Sequence, residues 1–271
     1  MIREITFGQY FAADSVLHRL DPRVKLSVTF VLIFFIFLCK SFPALLLITL
    51  FTLLAAALSR VSPVMFIKCI KPVFIILIFT CILNIIYTTG GDTYFEWWKI
   101  KITEKGVNTA IFTMVRILVL VITSSLLTYT TTPTMLTDAL ERLLSPLKKL
   151  HIRVDTLAMM MTLALRFIPT LIEEIDRIMS AQKSRGADFE TGSLIDRAKA
   201  LVPIFVPLMV SSFRRAYDLA LAMTCRCYTC GGERTRMKQM KMHFRDYMVI
   251  LVILFICAGV IALNRMFTNV I

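Results

Sequence analysis

Long stretches of this sequence contain no charged side chain, and no other feature constrains the fold as strongly. Four uncharged stretches cover residues 26–39, 41–59, 72–91 and 247–264, and a fifth, residues 106–137, is interrupted only by Arg116. A helix needs about 20 mostly apolar residues to cross a hydrocarbon core about 30 Å thick. The sequence therefore predicts an all-α, polytopic membrane protein with about five transmembrane helices.

The composition agrees with a membrane protein and excludes several other classes. Of 271 residues, 57% are hydrophobic and only nine are glycine, which excludes a disordered chain, a collagen-like fibre and a small disulfide scaffold. The first uncharged stretch is short, but Lys25 and Lys40 at its two ends can snorkel and lengthen it. A cleaved signal peptide is the alternative. Glu4, Asp14 and Asp21 before the stretch, and the lack of a small-x-small site after it, argue against this.

The distribution of Lys and Arg predicts how the chain is oriented in the membrane. Several of these residues precede the first stretch or separate the second from the third: Arg3, Arg19, Arg23, Lys25, Arg60, Lys68 and Lys71. The opposite side holds only Lys40, Lys99, Lys101, Lys105 and Arg265. The positive-inside rule then predicts a cytoplasmic N-terminus and an external C-terminus. Residues 90–105, which include Trp97 and Trp98, become an outer interfacial loop.

Residues 131–245 differ from the rest of the chain, because 18 Lys and Arg and 11 Asp and Glu are spread among many apolar residues. This mixture predicts a cytoplasmic domain of long amphipathic helices. The domain separates a membrane part with a short cytoplasmic N-terminus, at residues 1–130, from a last membrane helix and a short external tail at residues 246–271.

Three helical segments are predicted in this domain. Residues 140–150 place four leucines on one helical face: Leu140, Leu143, Leu144 and Leu147. A second helix starts with Asp155 as its N-cap and stops at Gly186. A third covers residues 193–228 and is ended by Gly231–Gly232.

Two of these helices are predicted to end in the same short pattern. Ala181 precedes Arg185 by four residues, and Ala222 precedes Arg226 by four residues. A small residue one turn earlier lets a partner approach, while the planar guanidinium of Arg offers five donors that stay charged. A cation in the last turn of a helix can instead simply complement the helix dipole. The occurrence of two such ends indicates a partner with two copies of one fold.

Several other residues allow two interpretations each. Arg116 inside the fourth span either marks function or a bundle partner, or it snorkels towards the outer surface or pairs with a neighbouring polar residue. Cys225, Cys227 and Cys230 are either free cytosolic thiols or part of a metal or redox site, although His243 is too distant in sequence to complete one. The methionines of the cytoplasmic domain either fill its core or form a partner surface: Met159, Met160, Met161, Met179, Met209 and Met223.

In a set of ordered motifs the chain resembles the transmembrane T component of energy-coupling factor transporters, which are ABC-type importers for vitamins and transition-metal ions. The resemblance covers nearly the whole chain. Its motifs are Phe7-Gly8-Gln9-Tyr10, Ser15, His18-Arg19-Leu20-Asp21-Pro22-Arg23, residues 131–150, Ala164-Leu165-Arg166-Phe167-Ile168-Pro169, residues 181–189 and residues 222–228.

This resemblance implies a coupling subunit without catalysis, cofactor, metal or nucleic acid of its own. Two cytoplasmic ATPases dimerise beneath such a T component, and a separate substrate-binding S component lies against its apolar faces in the lipid membrane. The residues implied to contact the ATPases are Arg185, Arg226, Ala181, Gly186, Ala222 and Met223. Around the second arginine the chain departs from the family pattern at Thr224, Cys225, Thr229 and Cys230.

Two other classes of protein compete with this interpretation. An integral-membrane enzyme needs carboxylates, histidines or a nucleophile at membrane depth, and the predicted spans contain no Asp, Glu or His. The sequence also lacks an H-E-x-x-H motif, a P-loop and a glycine-rich dinucleotide turn. The permease subunit of a conventional ABC transporter is the second competitor, and its hallmark is a translocation path of its own.

Overall fold

The computed structural model describes residues 10–11, 13–88, 90, 93–97, 100–150, 153–187, 194–228 and 242–267. These residues form mainly helices: α1 (Pro22–Leu38), α2 (Phe42–Leu58), α3 (Pro63–Tyr87), α4 (Glu104–Thr130), α5 (Pro133–Leu143), α6 (Val154–Ser184), α7 (Leu194–Cys225) and α8 (Phe244–Met266). A 3₁₀ helix covers Ser145–Leu150, and β1 (Thr93–Trp97) pairs antiparallel with β2 (Ile100–Thr103). The predicted outer loop at residues 90–105 therefore contains a small hairpin.

The chain divides into two compact units. One consists of Met1–Ala139 and Lys238–Ile271, and the other of Leu140–Met237. The first unit includes α1 to α4 and α8, and the second includes α6 and α7, while the division falls within α5.

Four helices of the described chain are long and apolar enough to cross a membrane: α3, α4, α6 and α8. Three of them coincide with predicted spans. By contrast, α1 and α2 have 17 residues each, which corresponds to about 26 Å and is shorter than the hydrocarbon core. Helix α6 is also long and apolar enough to cross a membrane, although its charged residues predicted a cytoplasmic location. The protein is thus a mainly helical, multi-pass membrane protein.

Some predicted helix ends are wrong, for local reasons. The helix predicted over residues 140–150 is interrupted, because α5 ends at Leu143 and Pro146 disfavours α-helical backbone at the residue before it. Asp155 is not an N-cap; Arg153 holds that position, and Asp155 lies in the first helical turn, where a carboxylate favours the helix dipole. Helix α7 already ends at Cys225, and Gly231–Gly232 lie outside the described residues.

The core of the first unit is built by α1, α2, α4 and α8. Ile36, Ile48, Phe112 and Val260 come from these four helices and are fully buried in one cluster. Each is surrounded by apolar side chains, so the helices pack through their apolar faces.

One end of this bundle is joined by a buried carboxylate. Asp246, in the first turn of α8, is only 1% exposed. Its Oδ1 accepts a hydrogen bond of 2.9 Å from the backbone N–H of Asp21, and its Oδ2 accepts one of 2.8 Å from the backbone N–H of His243. Since Asp21 is the N-cap of α1 and His243 is the N-cap of α8, a single side chain binds the starts of both helices.

The segment before α1 is held at the same end by the residues of the His18–Arg23 motif. The Nε2 of His18 donates to the carbonyl oxygen of Phe11 at 2.9 Å, so in the neutral ring Nδ1 accepts from the Ser15 hydroxyl at 2.7 Å. The backbone N–H of Phe11 donates in turn to the carbonyl of Tyr129 at 3.0 Å. The Nζ of Lys25 donates to the carbonyl of Thr130 at 2.9 Å. Phe11 and Lys25 therefore attach the N-terminal segment to the end of α4, and His18 of the motif holds Phe11 in place.

The other end of the bundle holds the turn between α1 and α2. The Nη2 of Arg116 donates to the carbonyl oxygen of Cys39 at 2.6 Å, and the guanidinium lies 4.7 Å from the centre of the Phe112 ring. From α8, the Asn264 side chain donates to Leu38 and accepts from the backbone N–H of Lys40. Arg116 thus has a partner within the bundle, the end of α1, where a cation is favourable.

We predict that Asp246→Ala destabilises the protein, because it leaves the buried backbone N–H of Asp21 and the part-buried backbone N–H of His243 without their acceptor. The free energy of unfolding should fall by about 1–3 kcal/mol. Thermal unfolding of the purified protein in detergent measures this, with Asp218→Ala on the exposed surface of α7 as the control. Equal unfolding temperatures for the two variants would contradict the proposed role of Asp246.

Candidate functional site

The first of the two arginines predicted to contact a partner directly follows α6. Arg185 is the C-cap of this helix and is exposed. After it, Gly186 has a left-handed backbone with φ of 88°. The N–H of Gly186 donates to the carbonyl of Lys183, and the N–H of Ala187 donates to the carbonyl of Gln182, both at 3.0 Å. This is a Schellman motif, which ends a helix sharply and satisfies its last carbonyls. Gly186 therefore stops the helix, as predicted.

The second predicted contact residue directly follows α7 in the same way. Arg226 is exposed, and Cys227 after it is left-handed with φ of 55°. The N–H of Cys227 donates to the carbonyl of Thr224 at 2.9 Å, and the N–H of Tyr228 donates to the carbonyl of Met223 at 3.0 Å. Every backbone hydrogen bond of the first end recurs here 41 residues later. The two ends, which we call the arginine tips (residues 181–187 and 222–228), are thus the same local structure.

At the position that follows the arginine, the two tips carry different residues. Gly186 of the first tip corresponds to Cys227 of the second. Glycine adopts a left-handed conformation without strain, whereas a residue with a Cβ pays about 1–2 kcal/mol for it. Aligning the two segments on their arginines would have placed Cys227 opposite Gly186 and revealed the difference.

Helices α6 and α7 are joined to each other by an ion pair. The guanidinium of Arg215 on α7 forms a salt bridge with the carboxylate of Glu174 on α6. Glu174 precedes Arg185 by eleven residues, and Arg215 precedes Arg226 by eleven residues. The pair is partly buried, with 34% of the Arg215 side chain and 19% of the Glu174 side chain exposed. Solvent therefore screens it less than a fully exposed pair.

A second contact shows that α6 and α7 run in opposite directions where they touch. The side-chain nitrogen of Gln182 lies 3.5 Å from the carbonyl oxygen of Pro203. Pro207 lacks the N–H that would form the regular helical hydrogen bond with this carbonyl. Between the salt bridge and this contact, the residue numbers increase along α6, from Glu174 to Gln182. They decrease along α7, from Arg215 to Pro203, so the two helices are antiparallel here.

The opposite directions place the arginine tips on opposite sides of the salt bridge. Each tip lies eleven residues beyond it, or about 17 Å along its helix. Two separate partner surfaces can therefore be contacted at once, one by each tip.

Side chains next to the two arginines leave the tips accessible. Ala181 and Ala222, one turn before each arginine, are exposed, and Met223 is half-buried. Cys225 and Cys227 are free, exposed thiols, whereas Cys230 lies outside the described residues. Within the described ranges, no group of three His, Cys, Asp or Glu residues is placed to hold a metal ion.

An apolar stripe on α7 leads towards the second arginine tip. Its residues follow each other at intervals of four and are all exposed: Phe205, Met209, Phe213, Tyr217 and Leu221. Met160 and Met161 on α6 are exposed as well. Met160, Met161 and Met209 therefore fit the interpretation of the methionines as a partner surface rather than as a filled core.

Comparison with known proteins identifies relatives over nearly the whole chain. A family model described as cobalt transport protein matches residues 13–238, which include both arginine tips. The energy-coupling factor transporter transmembrane protein EcfT of Ruminiclostridium cellulolyticum is 48% identical over 92% of this chain and 93% of its own. The proteins of the same name from Clostridium kluyveri and Thermosediminibacter oceani are 46% and 42% identical, and each alignment covers at least 97% of both chains.

We predict that Cys227→Gly stabilises the end of α7, because it removes the cost of a left-handed residue with a Cβ. The gain should be about 1 kcal/mol, and Gly186→Ala should cost a similar amount at the end of α6. Hydrogen exchange of the last turn of each helix measures both effects. Cys225→Gly is the control with the opposite sign, since Cys225 lies within the helix, where glycine destabilises. Faster exchange in Cys227→Gly would contradict the prediction.

Proposed function

Since this chain belongs to the family of energy-coupling factor transporter transmembrane proteins, we propose that it transmits the motion of two cytoplasmic ATPases to a substrate-binding S component. The observation that carries the proposal is the pair of equivalent arginine tips. A dimer of ATPases offers two equivalent surfaces, and the chain presents two equivalent ends to meet them.

Each tip suits a protein partner that provides a carboxylate and carbonyl oxygens. Arg185 and Arg226 extend beyond the last helical turn, and their planar guanidinium groups can form two parallel hydrogen bonds with a carboxylate. The exposed Ala181 and Ala222 leave room for the wall of a groove on the partner. Met223 adds an adaptable apolar contact at the second tip.

The joined helices provide a way to pass motion from the ATPases to the membrane. Because the salt bridge between Glu174 and Arg215 connects α6 and α7, displacement of one tip relative to the other changes the angle at which the helices cross. The apolar stripe on α7 then moves with its helix. We propose that an S component rests on this stripe and is shifted or released when the ATPases close, which serves uptake of a vitamin or another micronutrient.

The proposed arrangement places in the cytoplasm the segment predicted there, residues 131–245. Its many charges support this location, and α6 then lies outside the hydrocarbon core despite its length. The membrane helices of residues 1–130 and 246–271 then span the bilayer, with the N-terminus inside and the C-terminus outside, as the positive-inside rule predicts.

We predict that replacing either Arg185 or Arg226 with Ala weakens ATPase binding and reduces transport. Loss of a buried, charged hydrogen bond at an interface costs about 2–5 kcal/mol, so the double variant should lose its ATPases more completely than either single variant. Co-purification of the ATPases and substrate uptake by cells measure these losses.

Matched substitutions separate this role from a general effect of charge. Lysine at either position keeps the charge but not the planar fork, so it should restore binding only in part. Arg214→Ala, on the exposed surface of α7, should bind and transport as the parent does. If the double alanine variant inserted into the membrane, kept its ATPases and transported normally, the coupling role of the tips would be wrong.

We also predict that residue 149 faces the cytoplasm and residue 105 the exterior. The test uses Lys149→Cys and Lys105→Cys, both at exposed positions, in a variant whose seven natural cysteines are replaced by serine. A membrane-impermeant maleimide added to intact cells should label only the second. Labelling of Lys149→Cys without permeabilisation would contradict the orientation.

A further inference from the structure

A cavity of about 330 Å³ lies in the first unit among α1, α2, α4 and α8. Its inner wall is formed by buried residues such as Val24 and Leu32, and its open side by exposed ones such as Val16, Leu54 and Met248. Almost every lining group is apolar. The cavity is therefore an apolar groove, open to the surroundings along one side.

The groove follows the helices inward from their ends. Leu58 is the last residue of α2 and Thr130 the last of α4, and Lys25 lies near the start of α1. From Thr130 the lining continues to Thr123, which is about 10 Å along α4. The groove thus begins at the level of the helix ends and extends into the depth of the bundle. In the proposed orientation these are the cytoplasmic ends.

Three cationic residues lie in the lining of the groove or within three residues of it. Lys25 lines it, Arg60 comes two residues after Leu58, and Arg245 comes three residues before Met248; both arginines are exposed.

The carboxylates in this region already have partners. Hydrogen bonds from Arg19 hold the pKa of the Asp14 carboxyl below its ordinary value, and the nearby charge of Arg60 contributes as well. Asp21 lies 3.8 Å from Arg23 and caps α1, and Asp246 binds backbone N–H groups. Each of these carboxylates is therefore paired with a cation or with backbone N–H groups.

We propose that the groove binds one acyl chain of an anionic phospholipid, with the phosphate of the headgroup beside Arg60 and Arg245. The cavity is about twice the size of an apolar cavity of about 150 Å³ that holds one benzene molecule. It is thus large enough for part of a single unbranched chain and too small for a partner helix, which is about 10 Å across. Anionic lipids are concentrated in the cytoplasmic leaflet, where Lys and Arg side chains attract them.

The first test maps the lipid directly on the complex with its ATPases, in lipid nanodiscs. A phosphatidylglycerol with a photoreactive diazirine on its acyl chain is activated by light, and labelled peptides are identified by mass spectrometry. We expect labels to concentrate on the groove segments of α2 and α4. Labels spread evenly over the exposed apolar residues of α3, such as Phe74 and Phe79, would overturn the proposal.

Matched variants on α2 test whether the groove itself is required. Ala55 lines the groove, whereas Ala57 is exposed and does not. Ala55→Phe should reduce labelling of the groove at least five-fold, and Ala57→Phe should leave it unchanged. Equal labelling in the two variants would overturn the proposal.

Competition between unlabelled lipids tests the headgroup without any change in the fold. Phosphatidylglycerol should displace the probe at a concentration at least five-fold lower than phosphatidylcholine does. Arg60→Gln combined with Arg245→Gln should remove this preference, while Arg265→Gln at the other end of α8 should not. Equal displacement by both lipids in the parent protein would contradict the anionic headgroup. The outcome is independent of the arginine tips, because the Arg185→Ala and Arg226→Ala variants should label like the parent.

Discussion

The carboxylate of Asp246 joins parts of the chain that are more than 220 residues apart, and it binds the starts of α1 and α8 in the first unit. Helix ends carry backbone groups that the helix cannot satisfy itself, and inside a bundle water cannot replace the missing partners. Asp246 supplies them for the starts of α1 and α8. Arg116 and Asn264 do the same for the turn at the opposite end. The apolar faces pack the helices together, while these few polar contacts fix where each helix starts and stops.

The same need to end a helix produces the two arginine tips. At each of them the last carbonyls are satisfied by the backbone of the turn itself, so no neighbouring side chain has to cap the helix. The arginine side chains consequently remain available for a partner. Cys227 adopts the left-handed backbone of this turn although cysteine does not favour it. The position of Arg226 therefore depends on the turn and does not require glycine after the arginine.

Sequence patterns predicted the elements whose cause is local. Uncharged stretches predicted α3, α4 and α8 because length and apolarity are properties of one segment, and Gly186 marked the end of α6. Contacts between distant residues could not be predicted in this way: neither the bond from Asp21 to Asp246 nor the pairing of Glu174 with Arg215 has a local signal. Asp155 was misjudged because a carboxylate in the first turn and one at the N-cap look alike in sequence.

The salt bridge between Glu174 and Arg215 constrains which mutations the two helices can accept in evolution. Eleven residues are close to three full helical turns, so each arginine emerges from nearly the same side of its helix as the residue in the bridge. Inserting or deleting one residue between Glu174 and Arg185 would turn that arginine by about 100° and shift it by about 1.5 Å. The spacing of eleven residues therefore constrains the length of these two segments more tightly than the identity of the side chains within them.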